Sequence, residues 1–261
     1  RQGVTSAIEG PDGSSPLPLK PFFDRLTVAH IAINMGALVG QGSVREKVIG
    51  LINRKATSDE IETMKSLVKE AMEQGALGLS TGLFYVPGNY TPTEEVIELA
   101  KVAGRMGGIH TSHMRDEASG VLKSVEETIA IGERGGLPTQ VTHHKIIGKD
   151  NWGRSVDTLR LVAEARARGV DVTIDQYPYT ASSTGLAALL PQWSQEGGQR
   201  EHGEDHQAET AEEGMQSLQR HGHRGWVEKK AAAGAAAKEE PSDPHFGYTS
   251  QMQKVWEVSP I

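Results

Sequence analysis

Two histidines sit where short extended runs give way to polar loops. His113 closes the run GIHTSH (108–113), and His143 stands in QVTHHK (140–145). On a strand, alternate residues share a face, so His113 pairs with Thr111 and His143 with Val141. If Thr111 and Val141 point into a barrel, both imidazoles reach its rim together. Neutral imidazoles from neighbouring strands, joined by a carboxylate, form a usual zinc site. The competing reading is a pair of hydrogen-bonded core histidines. His110 and His144 lie out of phase with these two and are expected to be structural or to support the ligands from behind.

Other residues could serve the same place. Asp12 lies in EGPDGSS (9–15), directly after an extended run. Pro-Asp-Gly is also a common turn, which is reason enough for an aspartate there. Arg115, with Asp116 and Glu117, reads either as an exposed charge triplet or as a substrate clamp. Lys145 beside His143 could orient a carboxylate or simply be solvated. Tyr85 and Tyr177 could cap a pocket or pack. No G-x-G-x-x-G, Walker or G-x-S-x-G motif occurs, which argues against nucleotide-phosphate loops and a serine hydrolase. The chain has no cysteine, so disulfides and thiol catalysis are excluded and His, Asp and Glu are the strong metal ligands.

The elements that must position these side chains alternate. Extended runs are expected at 3–10, 28–36, 75–82, 108–113, 139–144 and 170–175. Helices lie between them. Thr57-Ser58-Asp59-Glu60 has the pattern of a capping box, followed by apolar residues at helical spacing from Ile61 to Ala71. Thr91-Pro92-Thr93-Glu94 resembles it, with Pro92 expected at the first helical position. Segments 119–133 and 155–168 also read as helices. Strand ends fall roughly 30 residues apart from the third strand on, the length of a βα unit. Repeated units of this kind make a parallel sheet, with ligands bound at the carboxyl ends of its strands. The six runs are therefore expected side by side and parallel.

The chain has 261 residues, a net charge of −7 and a sequence pI near 5.8. That acidity argues against nucleic acid or an anionic membrane as partner. No apolar run is long enough for a transmembrane helix, and 1–13 lacks a signal-peptide pattern. A cytoplasmic location is the expectation. Residues 1–195 read as one barrel-forming region. The remainder, 196–261, is polar and low in large aliphatics, includes KKAAAGAAAKEE, and is expected to be weakly structured.

Taken in order, QGVTSAIEGPDGSS, NMGALVGQGSVR, GALGLSTGLFYVPGNYT, IHTSHMRDE, VTHHKIIGKDNWG and DVTIDQYPYTASSTGL resemble the N-acyl-D-amino-acid deacylases (D-aminoacylases) of the amidohydrolase superfamily. The resemblance implies an α/β fold, an incomplete (β/α)8 TIM-type barrel of about strands 2 to 7. It implies zinc as cofactor and hydrolysis of the amide of a small N-acyl-D-amino acid. Metal ligands would be His113, His143 and Asp12, the last standing where the family commonly has a cysteine. Lys145, Tyr85, Tyr177 and, less directly, Arg115 would contact substrate. The family's first-strand His-x-His would precede Arg1, and its general-base aspartate is not found in this chain, so a fragment without turnover is expected. Two alternatives stand beside this reading: a non-catalytic metal-binding remnant or interaction module, and another amidohydrolase such as a dihydroorotase-like or dipeptidase enzyme. Nothing in the sequence gives the oligomeric state.

Overall fold

The computed structural model describes residues 3–191, 194–196 and the backbone of 253–257. The first compact unit runs through Ser182. It opens with β1 (Ser6–Glu9), α1 (Lys20–Ala29), β2 (Asn34–Ala37), β3 (Val39–Gly40), α2 (Gln41–Ile49) and α3 (Ser58–Glu73). It continues through β4 (Gly78–Gly82), α4 (Thr93–Arg105), β5 (Ile109–His113), α5 (Val121–Gly135), β6 (Thr139–Val141), α6 (Ser155–Ala167) and β7 (Val172–Ile174).

The strand pairs among β1–β7 are parallel. β1 pairs with β2, and β3-β4-β5-β6-β7 form a five-stranded sheet in chain order. β2 and β3 are one extended stretch interrupted at Leu38. The Leu38 N–H donates to Glu9 O at 2.9 Å, and Ala37 O accepts from Leu77 N at 2.8 Å. The stretch thus bonds to β1 on one side and to the β4 segment on the other, which places six extended positions in sequence. The arrangement is part of a TIM-type barrel.

The core lies in two apolar clusters. Leu79 of β4 packs with Val44, Met64, Val68, Val96, Leu99 and Ala103 from α2, α3 and α4. Val141 and Val172 pack with Val125, Ile129, Val162 and Ala165 from α5 and α6. Each fully buried side chain of this size contributes about 1.5–3 kcal/mol by leaving water. One buried ion pair crosses the first cluster's margin: Arg45 of α2 and Glu95 of α4 are 0% and 4% exposed.

The capping box at Thr57 forms: its hydroxyl accepts from Glu60 N at 3.3 Å, and the Glu60 carboxylate accepts from Thr57 N at 2.8 Å. Three local expectations are corrected. Residues 28–36 are not one strand, because Val28 and Ala29 end α1, His30 adopts a left-handed cap, and extension resumes at Asn34. Apolar alternation there cannot tell a helix end from a strand. Pro92 is the N-cap of α4 rather than its first residue, and the Thr91 hydroxyl accepts from Gln41 Nε2 at 3.0 Å instead of capping. β6 stops at Val141, two residues before the histidine expected on it.

From Ser183 a second unit begins, whose described part includes a short 3-10 turn at Leu186–Leu189. The polar tail expected to be weakly structured falls largely outside the described residues; within it, Gln253–Glu257 is a strand. Among the described residues no helix is long and apolar enough to cross a membrane.

Candidate metal centre

The loop after β1 is built to place one carboxylate. Gly10 and Gly13 have positive φ, and Pro11-Asp12-Gly13 makes the turn its sequence announces. Gly13 N donates to Ser80 Oγ at 3.1 Å, and Thr111 Oγ1 donates to Pro11 O at 3.1 Å. Ser15 N donates to Ser43 Oγ and Gly40 N to Ser15 Oγ, both at 2.9 Å. A side chain at Gly13 would begin 2.3 Å from Gly82 N, so the loop lies backbone-on-backbone against the end of β4. The turn reading and the metal reading of Asp12 are compatible: the turn aims the side chain.

His113 ends β5 on the face it shares with Thr111, and Thr111 touches the Asp12 loop as alternation requires. Its ring packs against Tyr85 (centroids 4.6 Å apart) and Phe84 (5.9 Å). His143 reaches the same place by another route. It lies past the strand with φ 41°, and its N–H donates to the Asp175 carboxylate beyond β7. That left-handed turn, rather than strand alternation, points its ring inward. The expected residue is therefore in position for a reason the alternation argument did not contain.

Asp12 Oδ1 lies 3.7 Å from His143 Nε2, and Asp12 Oδ2 lies 3.9 Å from His113 Nδ1. The three residues offer ligand atoms all within 4.8 Å of one another, the one such cluster among the described residues. The rings meet more closely than two ligands of one zinc would. His143 Nε2 and His113 Nδ1 are 2.8 Å apart, a hydrogen bond, whereas two nitrogens on a tetrahedral zinc lie about 3.3 Å apart given bonds of about 2.0–2.1 Å. An opening of a few tenths of an ångström converts one arrangement to the other. Asp12 Oδ1 is buried and accepts no hydrogen bond. A lone buried carboxylate oxygen facing two imidazoles suits a cation, and the donor set of one carboxylate and two histidines suits zinc with a further position open.

The electrostatics agree. Burial alone would raise the Asp12 carboxyl, but attraction to His113 and His143 outweighs it and holds the group well below the usual carboxylate range. Burial opposes charge on His143, yet Asp12 and Glu117 prevail and raise its pKa to about 9.

The other expected site residues divide. Tyr85 lies beside His113, and Tyr177 lies with its ring centroid 5.5 Å from Lys145 Nζ. Of the two readings of Lys145, a carboxylate-orienting group or a solvated side chain, its exposure of 5% excludes the second. Its ammonium donates to Glu117 Oε1 at 2.6 Å and to His143 O at 3.0 Å, and contacts His143 Nδ1 at 2.9 Å. The expectation of a substrate clamp at Arg115 does not fit its contacts. Its guanidinium donates to Glu127 at 2.9 Å twice, to Asn89 O at 3.0 Å and to Thr91 O at 2.9 Å, bracing the loop after β4 against α5. His110 and His144 are structural: His110 bridges Thr81 (3.0 Å) and Thr139 (2.7 Å), and His144 bonds Thr158 at 2.9 Å.

Two residues of the site stood outside the ligand and substrate set read from sequence, Glu117 having been named only with Arg115 in the charge triplet. Asp175 holds the turn of His143, and Glu117 is buried against Lys145 and His143. The only signal for Glu117 was its place four residues after His113, which a charge triplet reading obscured.

Parallel strands with a carboxylate and two histidines converging at their carboxyl ends make a partial barrel with a candidate metal centre, an arrangement of the amidohydrolase kind. Comparison with known proteins narrows the class. No protein-family model matches the chain. It is 38% identical over 208 residues to the D-aminoacylase of Alcaligenes xylosoxydans xylosoxydans, covering 71% of this chain and 43% of that protein. It is 40% identical over 192 residues to the N-acyl-D-glutamate deacylase of the same organism, covering 73% of this chain and 39% of that protein. Among solved structures, it superposes on a D-aminoacylase described as defining a novel subset of amidohydrolases, with a TM-score of 0.68 and 36% identity over 71% of this chain and 44% of that one. It superposes equally, at a TM-score of 0.68 and 37% identity over 71% of this chain and 44% of that one, on the N-acyl-D-glutamate deacylase of Bordetella bronchiseptica bound to zinc and a phosphonate mimic of the tetrahedral intermediate. Over its matched part, the chain is a homologue of the D-aminoacylases and N-acyl-D-amino-acid deacylases. It spans about two-fifths of the length of the curated relatives it matches.

Proposed function

We propose that this chain carries the metal-holding and substrate-orienting part of a hydrolase that cleaves the amide of N-acyl-D-amino acids, giving a D-amino acid and a carboxylate. The observation that carries the reading is the convergence of Asp12, His113 and His143 at the carboxyl ends of parallel strands. The relatives named above act on such substrates, and one of them binds zinc with an intermediate mimic. Asp12, His113 and His143 would hold zinc, whose chemistry when bound is to acidify water and to polarise a carbonyl oxygen. Tyr85, tilted against the His113 ring, and Tyr177, above Lys145, border the same space and would fix the substrate's register. Lys145 supplies positive charge beneath it for the substrate carboxylate.

The test is the zinc-loaded chain with N-acetyl-D- and N-acetyl-L-amino acids, reading amine release and, in parallel, ligand binding by calorimetry. Release or binding selective for the D form is expected. Equal response to both forms would overturn the stereochemical assignment. Zinc held with no response to either form would favour the second reading, a metal-binding remnant, which the two-fifths span keeps in view.

A further inference from the structure

Glu117 is a buried carboxylate beside the candidate metal centre but not part of it. Its backbone oxygen accepts from Ile147 N at 2.7 Å, which ties the loop after β5 to the loop after β6. Its Oε1 lies 2.6 Å from Lys145 Nζ and 3.1 Å from His143 Nδ1. Lys145 Nζ lies 2.9 Å from the same Nδ1. Three groups therefore meet at one ring nitrogen, and in the neutral imidazole that a metal ligand must be, that nitrogen can serve in only one sense. If it accepts from the ammonium, the neutral ring carries its proton on Nε2 and donates to His113. If it donates to the carboxylate, Nε2 is left with a lone pair directed toward Asp12 and His113.

We propose that Glu117 is a positioning residue for metal binding: its carboxylate accepts the Nδ1–H of His143, selects that tautomer, and turns the Nε2 lone pair toward Asp12 and His113. The inference rests on the metal-holding role given to those residues. A ligating histidine generally donates its other N–H to a carboxylate, carbonyl or water, which fixes the ring and raises its basicity. Here a second consequence follows. Once Nδ1 is a donor, Lys145 no longer bonds it, and one ammonium N–H is released toward the space beneath Tyr177.

The test measures zinc affinity of the full chain by competition with a chromophoric chelator. Glu117→Gln is expected to weaken binding about 10- to 100-fold, because an amide can offer N–H to Nδ1 and hold the wrong tautomer. Glu117→Asp should restore part of the loss. If Glu117 mattered only by neutralising Lys145, adding Lys145→Met to Glu117→Gln would restore affinity; the double variant is expected to stay as weak as Glu117→Gln. On the unsubstituted, zinc-loaded chain, nitrogen NMR should find His143 protonated at Nδ1, which needs no variant to fold. Glu117→Gln binding within about threefold of the parent, recovery in the double variant, or a proton on Nε2 would each overturn the proposal. A parent chain that bound no zinc would remove the metal role itself and the inference with it. A parent that bound zinc as tightly as Glu117→Gln would remove the inference alone.

Discussion

Removing the Glu95 carboxylate should destabilise the scaffold behind the site, and the size of the effect can be worked out. Arg45 is fully buried, and Glu95 is 4% exposed. The carboxylate accepts from the guanidinium and from Ala56 N at 3.2 Å, while the guanidinium also donates to Arg54 O. Glu95→Ala leaves a buried cation without its counter-charge and Ala56 N without an acceptor. Breaking one side of a buried pair costs about 3–5 kcal/mol. For a domain of this size, about 2–4 °C of melting temperature is lost per kcal/mol, so a fall on the order of 10 °C is expected. Calorimetric or circular-dichroism melting of the full chain reads it. The pair is not expected to be better than a hydrophobic replacement, so Arg45→Met with Glu95→Leu should recover most of the loss. A single variant that melted within about 2 °C of the parent would refute the reasoning, since it would mean the pair is effectively solvated. A double variant no better than Glu95→Ala would refute it as well.

Two further outcomes are expected. Burial pushes the His110 imidazole down to about 3, so it stays neutral in the fold while the unfolded chain takes up a proton below about 6.5. Stability from this group is thus complete above about pH 6.5 and falls by on the order of 1.4 kcal/mol per unit below it, a slope that urea midpoints between pH 7 and 5 should show and His110→Asn should remove. Gly13→Ala would force a Cβ to 2.3 Å from Gly82 N at φ +79°, so the Asp12 loop must lift; zinc affinity should drop at least about tenfold, and an unchanged affinity would show that the loop's placement is not critical.

Much of this architecture was legible because local signals were redundant. The capping box at Thr57, the polar residues at strand ends and the spacing of the later βα units all pointed to parallel strands, and α3, β4, β5, α5 and α6 lie close to where periodicity put them. α1 and the break at Leu38 were hidden, since an apolar stretch such as 28–36 satisfies more than one template until tertiary partners choose. At the site, Asp12, His113 and His143 converge, but His143 does so through a positive φ that no side-chain pattern encodes. Lys145 and Glu117 each look solvated in sequence. Their burial depends on each other across 28 residues, a pairing visible only in three dimensions. The contacts of Arg115 were hidden for the same reason, because its acceptors include two backbone carbonyls that sequence cannot place.

The central claim is that Asp12, His113 and His143 hold one metal ion, with His144 structural. Zinc content and affinity of the full chain, measured for the parent, His143→Ala and His144→Ala, test it most directly. One zinc per parent chain is expected, none retained by His143→Ala, and zinc retained by His144→Ala, which loses stability through its contact with Thr158. Zinc lost in His144→Ala but kept in His143→Ala, or a parent chain that binds none, would contradict it.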